Sequence, residues 1–319
     1  MSTRSLVLQA LRDAGSAGVS GETIARELGL SRVAIAKHIA ALRAAGYSIE
    51  ARAGEGYRLL ATPDLPLPGE VAPRLTDSFW VRVEGAEETG STNDDARELA
   101  RRGAPEGTAV VAARQTAGRG RFARTWLSPT GGAYLSAILR PPLGTLELAP
   151  LALVIAVGVA RGLVSLGASP RLKWPNDVLL QRGKVAGILL EMSGQADRVD
   201  WVVVGVGVNV QPLGEPPGQS AAAVSDAVPD ARAADVAGAV MDGIASAYQQ
   251  WLAEGFSALR KEFESMHALS GRAVIVRDLQ GGIVAAGTVQ RIDEIGRLIL
   301  LTEAGSVPVA SGDVTLRDS

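Results

Sequence analysis

One nine-residue stretch, Gly118-Arg119-Gly120-Arg121-Phe122-Ala123-Arg124-Thr125-Trp126, holds the densest set of groups able to do chemistry. Its glycines lack a Cβ, so the backbone can take conformations and approaches that other residues refuse. Its arginines offer planar, permanently charged forks that match carboxylate and phosphate oxygens. Until Phe122 and Trp126 the run has nothing apolar to bury, so alone it is expected to be mobile and to order around an anion. A bare Gly/Arg run is most often a solvated basic loop. This one stands between two strand-like segments, residues 108–113 and 133–139, which favours a ligand loop. There is no Walker-type phosphate loop, which argues against a P-loop ATPase.

Three other groups of residues could take part. Ser91, Thr92 and Asn93 precede a helical pattern over residues 94–102. Either they cap that helix, with Asp94 and Asp95 complementing its dipole, or they turn hydroxyl and amide groups to a ligand. Lys184 opens a strand-like run in which a period of two puts Ile188 and Leu190 on its face. Pointing inward it demands an anionic partner; at a strand end it simply reaches solvent. Asp177 is either a turn residue bonding its own backbone or a carboxylate that steers a cation or an amine. Pro175 removes a ladder donor, so residues 173–177 belong at the end of a sheet.

The elements that must position these groups fall into three blocks. The 319 residues suffice for two or three domains, with 47% hydrophobic and 21% charged residues. There is no cysteine, which excludes disulfides and thiolate-bound metals. His38 and His267 are far apart, which disfavours a zinc site. No apolar run is long enough to span a membrane, and the N-terminus has no apolar signal core, so a soluble cytoplasmic protein without a membrane partner is expected.

Residues 6–14, 21–28 and 32–45 read as helices, the last two separated by a Gly29-Leu30 turn, with Ser20 and Ser31 as caps. Residues 47–52 and 57–60 form a hairpin, completing a winged helix-turn-helix. Ile35, Ile39 and Leu42 form the buried stripe of the third helix, leaving Val33 and Lys37 outward and Arg32 at the N-terminal end. Residues 1–60 carry eight Lys/Arg against five Asp/Glu, net +3, while the rest of the chain is net −5. That bias tilts the head toward DNA over a protein-binding role. Four prolines in residues 61–75 mark a stiffened linker. A nearly all-apolar helix over residues 149–166, strand-like runs at 171–174, 178–180, 184–191 and 200–209, and one helix over 230–263 make a central α+β unit. From Gly271 short β runs at 273–276, 283–292, 298–301 and 307–310 suggest a small barrel without catalytic residues.

The Gly118 loop, then Lys173-Trp174-Pro175-Asn176-Asp177, Lys184-Val185-Ala186-Gly187-Ile188-Leu189 and Gly205-Val206-Gly207-Val208-Asn209, follow in the order found in the biotin–protein ligases, a family this chain resembles. Related lipoate ligases lack the Gly-Arg-Gly-Arg loop. The first block resembles the DNA-binding domain of the bifunctional, repressor-type members. The resemblance implies an α+β chain with a winged helix-turn-helix at 1–62 and a Pro-rich linker at 63–76. It further implies a ligase domain of class II aminoacyl-tRNA-synthetase type, with a mixed or antiparallel sheet, at 77–268 and an SH3-like barrel at 269–319.

The same resemblance implies activation of biotin by ATP to biotinyl-5′-AMP, then transfer to a lysine of a biotin carboxyl carrier protein. Ser91, Thr92, Asn93, Gln115, Arg119, Gly120, Arg121 and Lys184 would bind biotin. Gly118, Arg119, Arg121, Arg124, Trp126, Lys173, Asn176 and Asn209 would bind the nucleotide. Arg121, Lys184 and Asp177 would carry the catalysis, with no protein-bound metal beyond Mg²⁺ accompanying ATP. Ser31, Arg32, Val33 and Lys37 would face operator DNA, and biotinyl-AMP would promote a homodimer. Residues 211–223 match the loop that closes over the adenylate, but lack the tryptophan some members place there. A biotin-sensing transcription factor without ligase activity and a lipoate-attaching enzyme are the competing readings. The arginines and Lys184 disfavour the first, the Gly118–Arg121 sequence the second.

Overall fold

The computed structural model describes residues 3–52, 55–181, 183–212 and 220–317. The head begins with α1 (Thr3–Ala14), α2 (Gly21–Leu28) and α3 (Arg32–Ala44), followed by the hairpin β1 (Ser48–Arg52) and β2 (Gly56–Ala61). Val7, Leu11, Ile24, Ile35, Ile39 and Leu42 close its small core. Ser20 and Ser31 cap α2 and α3 by accepting from the amides of Thr23 and Ala34, at 3.0 and 3.1 Å. Those two bonds fix the turn between the helices and therefore the direction in which α3 presents its outer face.

The proline-rich connection is folded and docked. Pro68 occupies the first turn of α4 (Pro68–Val71), where its missing N–H costs nothing. Val71 is fully buried in the core of the central unit, while Glu70 is buried between the two units. The Glu70 carboxylate accepts from Arg12 of the head at 2.5 Å and sits 3.5 Å from Arg74, which also pairs with Asp235. Burial and the neighbouring Glu70 push the Tyr47 phenol well above its ordinary pKa. A buried carboxylate needs such partners, so composition alone concealed a segment that fastens head to body.

The central unit comprises β3 (Arg82–Thr89), α5 (Thr92–Arg101), β4 (Thr108–Gln115), β5 (Gly132–Leu139), α6 (Leu151–Ser165), β6 (Arg171–Lys173), β7 (Asp177–Leu180), β8 (Gly183–Gln195), β9 (Arg198–Asn209), α7 (Ala233–Glu254) and α8 (Phe256–Met266). The sheet order is β3-β4-β5-β9-β8-β7-β6. Only β3 and β4 are parallel, because α5 crosses between them; the other pairs are antiparallel. β6 and β7, on either side of Pro175, form the expected sheet end. The single helix expected over 230–263 is two, broken at Gly255 with φ 75°. Apolar periodicity continues across the break and hides it; only the left-handed glycine stops the helix.

The C-terminal unit is a five-stranded antiparallel sheet, β10 (Ala273–Arg277), β11 (Ile283–Ile292), β12 (Leu298–Thr302), β13 (Gly305–Val309) and β14 (Asp313–Leu316), in the order β13-β12-β11-β10-β14. Its core residues, among them Val274, Ile292 and Val314, are continuous with the central core. Trp174, fully buried, donates its indole N–H to the Gly296 carbonyl at 2.9 Å. β14 has no counterpart among the β runs expected from the sequence, and its first residue reaches the site described next.

Candidate active site

One cavity of about 490 Å³ gathers the chemistry-bearing residues from α5, β4, the glycine–arginine loop, β6–β9 and β14. At one end are Ser91, Thr92 and Asn93, all nearly fully buried at the start of α5. Ser91 is the N-cap by position but makes no side-chain capping bond. Thr92 and Asn93 turn away from their own helix toward the sheet, which decides against the pure capping role. Gln115, the last residue of β4, accepts from the Thr92 amide at 2.8 Å and donates to Ser128 at 2.9 Å. Ser136 on β5 contacts both Thr92 and Asn93, at 2.8 and 2.6 Å. A Cβ at Gly205 would lie 2.1 Å from the Asn93 carbonyl oxygen, so the strand beneath must be bare there.

At the other end are the cations. Lys184 faces inward and meets Asp177 at 2.5 Å, both side chains mostly buried. Its ammonium also lies 5.1 Å from the Trp126 ring. Arg119, which reaches back toward Asn93, makes two bonds of 2.7 Å to Asp94, which hold the Asp94 carboxyl below its ordinary value and the guanidinium above its own. Arg124 pairs with Asp313 of β14. Arg121 forms no ion pair among the described residues. Its guanidinium stacks 4.5 Å over Phe122, touches Asn176 at 3.3 Å, and has its pKa lowered by burial.

The loop itself is held by Gly120 N–H donating to the Arg124 carbonyl (2.8 Å) and Trp126 N–H to that of Gly118 (3.0 Å). Trp126 lies so close to β9 that a Cβ at Gly207 would be 2.3 Å from its indole nitrogen, whose buried N–H has no partner among the described residues. Gly120 and Lys173 also line the cavity. Asn176 also anchors to the Ile188 carbonyl at 2.8 Å.

Two expected nucleotide residues do not line the cavity. Gly118 packs under it, against Ser128 and the Trp126 carbonyl. Asn209 donates to the carbonyls of Lys184 and Ala222, each at 3.2 Å, and so ties β8 to the chain beyond β9. Of the expected adenylate loop, residues 213–219 lie outside the described residues.

Sequence reasoning missed Ser128, Ser136, Asp94, Glu191 and Asp313. A lone serine in the otherwise apolar run 133–139 was a signal for Ser136; Asp313 left none. In the head, Arg32, Val33 and Lys37 are exposed on α3, Val33 by 67%, while Ser31 uses its hydroxyl as the cap.

No group of three or more His, Cys, Asp or Glu among the described residues could cage a metal. Asp177 and Asp313 are the carboxylates lining the cavity. That donor set suits Mg²⁺ carried by nucleotide phosphates, which needs one or two protein carboxylates at most.

A mixed sheet whose strand ends and loops surround one cavity, with a helix-turn-helix in front and a β domain behind, makes an α+β chain of three units with one candidate active site. Residues 86–209 match the Biotin/lipoate A/B protein ligase family, residues 3–58 an HTH domain, and residues 269–317 the Biotin protein ligase C terminal domain. The bifunctional ligase/repressor BirA of Bacillus subtilis is 36% identical over 97% of both chains. A biotin–[acetyl-CoA-carboxylase] ligase of Paracoccus denitrificans is 37% identical over 71% of this chain and 97% of its own. The structure of the Aquifex aeolicus biotin protein ligase in complex with biotin and ATP matches with a TM-score of 0.64 at 31% identity, covering 75% of this chain and all of that one. The chain belongs to the biotin–protein ligase family.

Proposed function

We propose that this protein joins biotin to ATP, forming biotinyl-5′-AMP, and passes the biotinyl group to a lysine of a biotin carboxyl carrier protein, and that it represses transcription as a dimer. The observation that carries this reading is the single cavity with a hydroxyl–amide end and a cationic end. The first end suits a ureido ring, which offers one carbonyl and two N–H groups. The second suits a carboxylate meeting a triphosphate. A biotin carboxylate oxygen attacks the α-phosphorus and pyrophosphate leaves. The lysine amine then attacks the acyl carbon, AMP leaves and the amine gives up a proton. Positioning and charge neutralisation dominate such a step. Arg121 and Lys184 supply positive charge, and Asp177, freed from Lys184 by the incoming anion, becomes available to Mg²⁺ or to the lysine amine.

Ser91, Thr92, Asn93 and Gln115 are assigned to the ureido ring, and Arg119, Gly120, Arg121 and Lys184 to the rest of biotin. Arg124, Trp126, Lys173 and Asn176 are assigned to the nucleotide beside Gly118, Arg119 and Arg121, with Asn209 holding the strand that carries Lys184. Residues 1–62 serve as the DNA-binding unit, 63–76 as its fastening, 77–268 as the ligase and 269–319 as the accessory domain. Incubation with biotin and MgATP followed by mass analysis tests the reading: bound biotinyl-AMP is expected. Binding of biotin without adenylation would instead identify a sensor, and adenylation of lipoate in preference to biotin a lipoate-attaching enzyme.

We assign the dimer to the edge strand β3, whose outer side is unpaired among the described residues and whose last residue, Thr89, accepts from Thr116 just ahead of the glycine–arginine loop. One winged helix touches too few phosphates and bases for tight, specific binding, so repression calls for two half-sites. Sedimentation with and without biotin and ATP checks this; equal association constants would exclude a ligand-driven switch.

A further inference from the structure

Behind the hydroxyl–amide end of the cavity, a chain of hydrogen bonds starts at a carboxylate that does not line it. Asn93 Nδ2 donates to Glu191 Oε2 at 2.8 Å, which turns Asn93 Oδ1 toward Ser136 Oγ at 2.6 Å. Ser136 Oγ lies 2.8 Å from Thr92 Oγ1, and Thr92 Oγ1 lies 3.1 Å from Gln115 Oε1. The Gln115 amide is fixed independently. Its oxygen accepts from the Thr92 backbone, and its nitrogen donates to Ser128, which donates to the Trp126 carbonyl at 3.0 Å.

Counting hydrogens decides the polarity. Three oxygen–oxygen contacts link Asn93, Ser136, Thr92 and Gln115, but only the hydroxyls of Ser136 and Thr92 bring a hydrogen. Reversing the Asn93 amide would supply a third hydrogen, yet it would set a carbonyl oxygen against the Glu191 carboxylate. Arg97 and Arg119, at 3.3 and 3.5 Å, hold that carboxylate in place. The chain therefore stays one hydrogen short, and its pocket-facing oxygens are left as acceptors.

We propose that Glu191 is a positioning residue which, through Asn93, sets this end of the cavity to accept hydrogen bonds and so selects a ligand head carrying N–H donors, a cyclic urea. The proposal rests on the biotin reading above and adds to it the residue that enforces donor–acceptor polarity.

Calorimetric titration of the full chain with biotin and with an N-methylated biotin is the test, using E191Q, N93D and the double variant E191Q/N93D. E191Q removes the bias on the Asn93 amide, and biotin affinity falls about tenfold, with a smaller penalty left for N-methylation. N93D sets two carboxylates against each other and weakens binding at least as much. In the double variant carboxylate and amide have changed places, so an oxygen again faces Ser136. Affinity and discrimination against N-methylation return to within about threefold of wild type. Unchanged affinity in E191Q, or a double variant no better than the weaker single one, overturns the role of Glu191 while wild-type biotin binding leaves the pocket reading intact. A wild-type chain that binds no biotin overturns both. Should E191Q fail to fold, Ser136→Ala breaks the same chain one link further on; full affinity and full discrimination there overturn the proposal.

Discussion

The two ends of the cavity are prepared in opposite ways. At the hydroxyl–amide end every side chain from Asn93 to Ser128 already has its partner, and the partners come from β4, β5 and β8. A ligand docks there onto a fixed pattern. At the cationic end Lys184 and Arg124 each hold a carboxylate of the protein itself and Arg121 is unpaired among the described residues, while Arg119 pairs with Asp94 and Glu191 on the side of Asn93. An anionic substrate has to exchange those partners. The first end is built for recognition with little rearrangement, the second for charge that is released only when the right anion arrives.

On that division the largest effects come from the cationic end. Lys184→Ala removes an inward cation whose only ion-pair partner among the described residues is Asp177. Biotin-dependent pyrophosphate exchange is expected to fall by roughly 10²–10³-fold, the usual loss for a group that stabilises developing charge. The thermal unfolding midpoint should fall as well, because Asp177 is left mostly buried without its counter-ion, but by far less than the loss of exchange. Wild-type exchange in a well-folded variant would make Lys184 structural and break the contrast.

Arg121→Gly comes next. The retained adenylate is expected to escape some tens of times faster, about 2 kcal/mol of lost charge-assisted contact. Released biotinyl-AMP then labels lysines without selectivity. Retention and selectivity equal to wild type in a transfer assay would remove Arg121 from the role of holding the intermediate.

The recognition end gives a smaller effect. In Gly205→Ala the new methyl group collides with the Asn93 carbonyl oxygen, 2.1 Å away. Forcing that side chain off its place is expected to cost about 1–3 kcal/mol, read as weaker biotin binding with MgATP binding unchanged. Loss of both ligands together would mean that the two ends are not independently organised.

How far these ends could be read in the sequence follows from the same contrast. Cations in contiguous motifs, such as Arg119, Arg121 and Lys184, were legible because glycine spacing and strand alternation are local properties. Asp177, the counter-ion of Lys184, was legible from the neighbouring motif, but the counter-ions of Arg119 and Arg124 were not, since Asp94 and Asp313 come from elements far from the loop in the chain. Ser136, Glu191 and Gly205 form one cluster only after β5, β8 and β9 have paired in register. The helix-turn-helix head was legible almost residue by residue, because caps and turns obey short-range rules. The docking of the proline-rich segment through Glu70 was hidden, because burial of a carboxylate depends on arginines contributed by other segments.

The smallest effect sharpens the comparison most directly. Asp94 neutralises Arg119 without lining the cavity. Its folded pKa is lowered from 3.8, first by the hydrogen bonds from Arg119, then by the charges of Arg119 and Arg97, against some desolvation. Such a group contributes stability that is fully present above its unfolded value and is lost as pH falls through the lower folded value. Since the Asp94 side chain is 38% exposed, solvent screening keeps that contribution within about 1 kcal/mol. Asp94→Asn is therefore expected to flatten the acid limb of the stability profile below pH 4 slightly, and to leave stability at neutral pH within the same margin. It also leaves Arg119 with only the longer contact to Glu191, at 3.5 Å, so inorganic pyrophosphate should bind about two- to threefold more tightly, an exposed-charge effect that vanishes at high salt. Tighter pyrophosphate binding in Asp94→Asn with unchanged biotin binding is the result that internal neutralisation requires. Weaker binding of both ligands would show that Asp94 instead holds Arg119 in its working position.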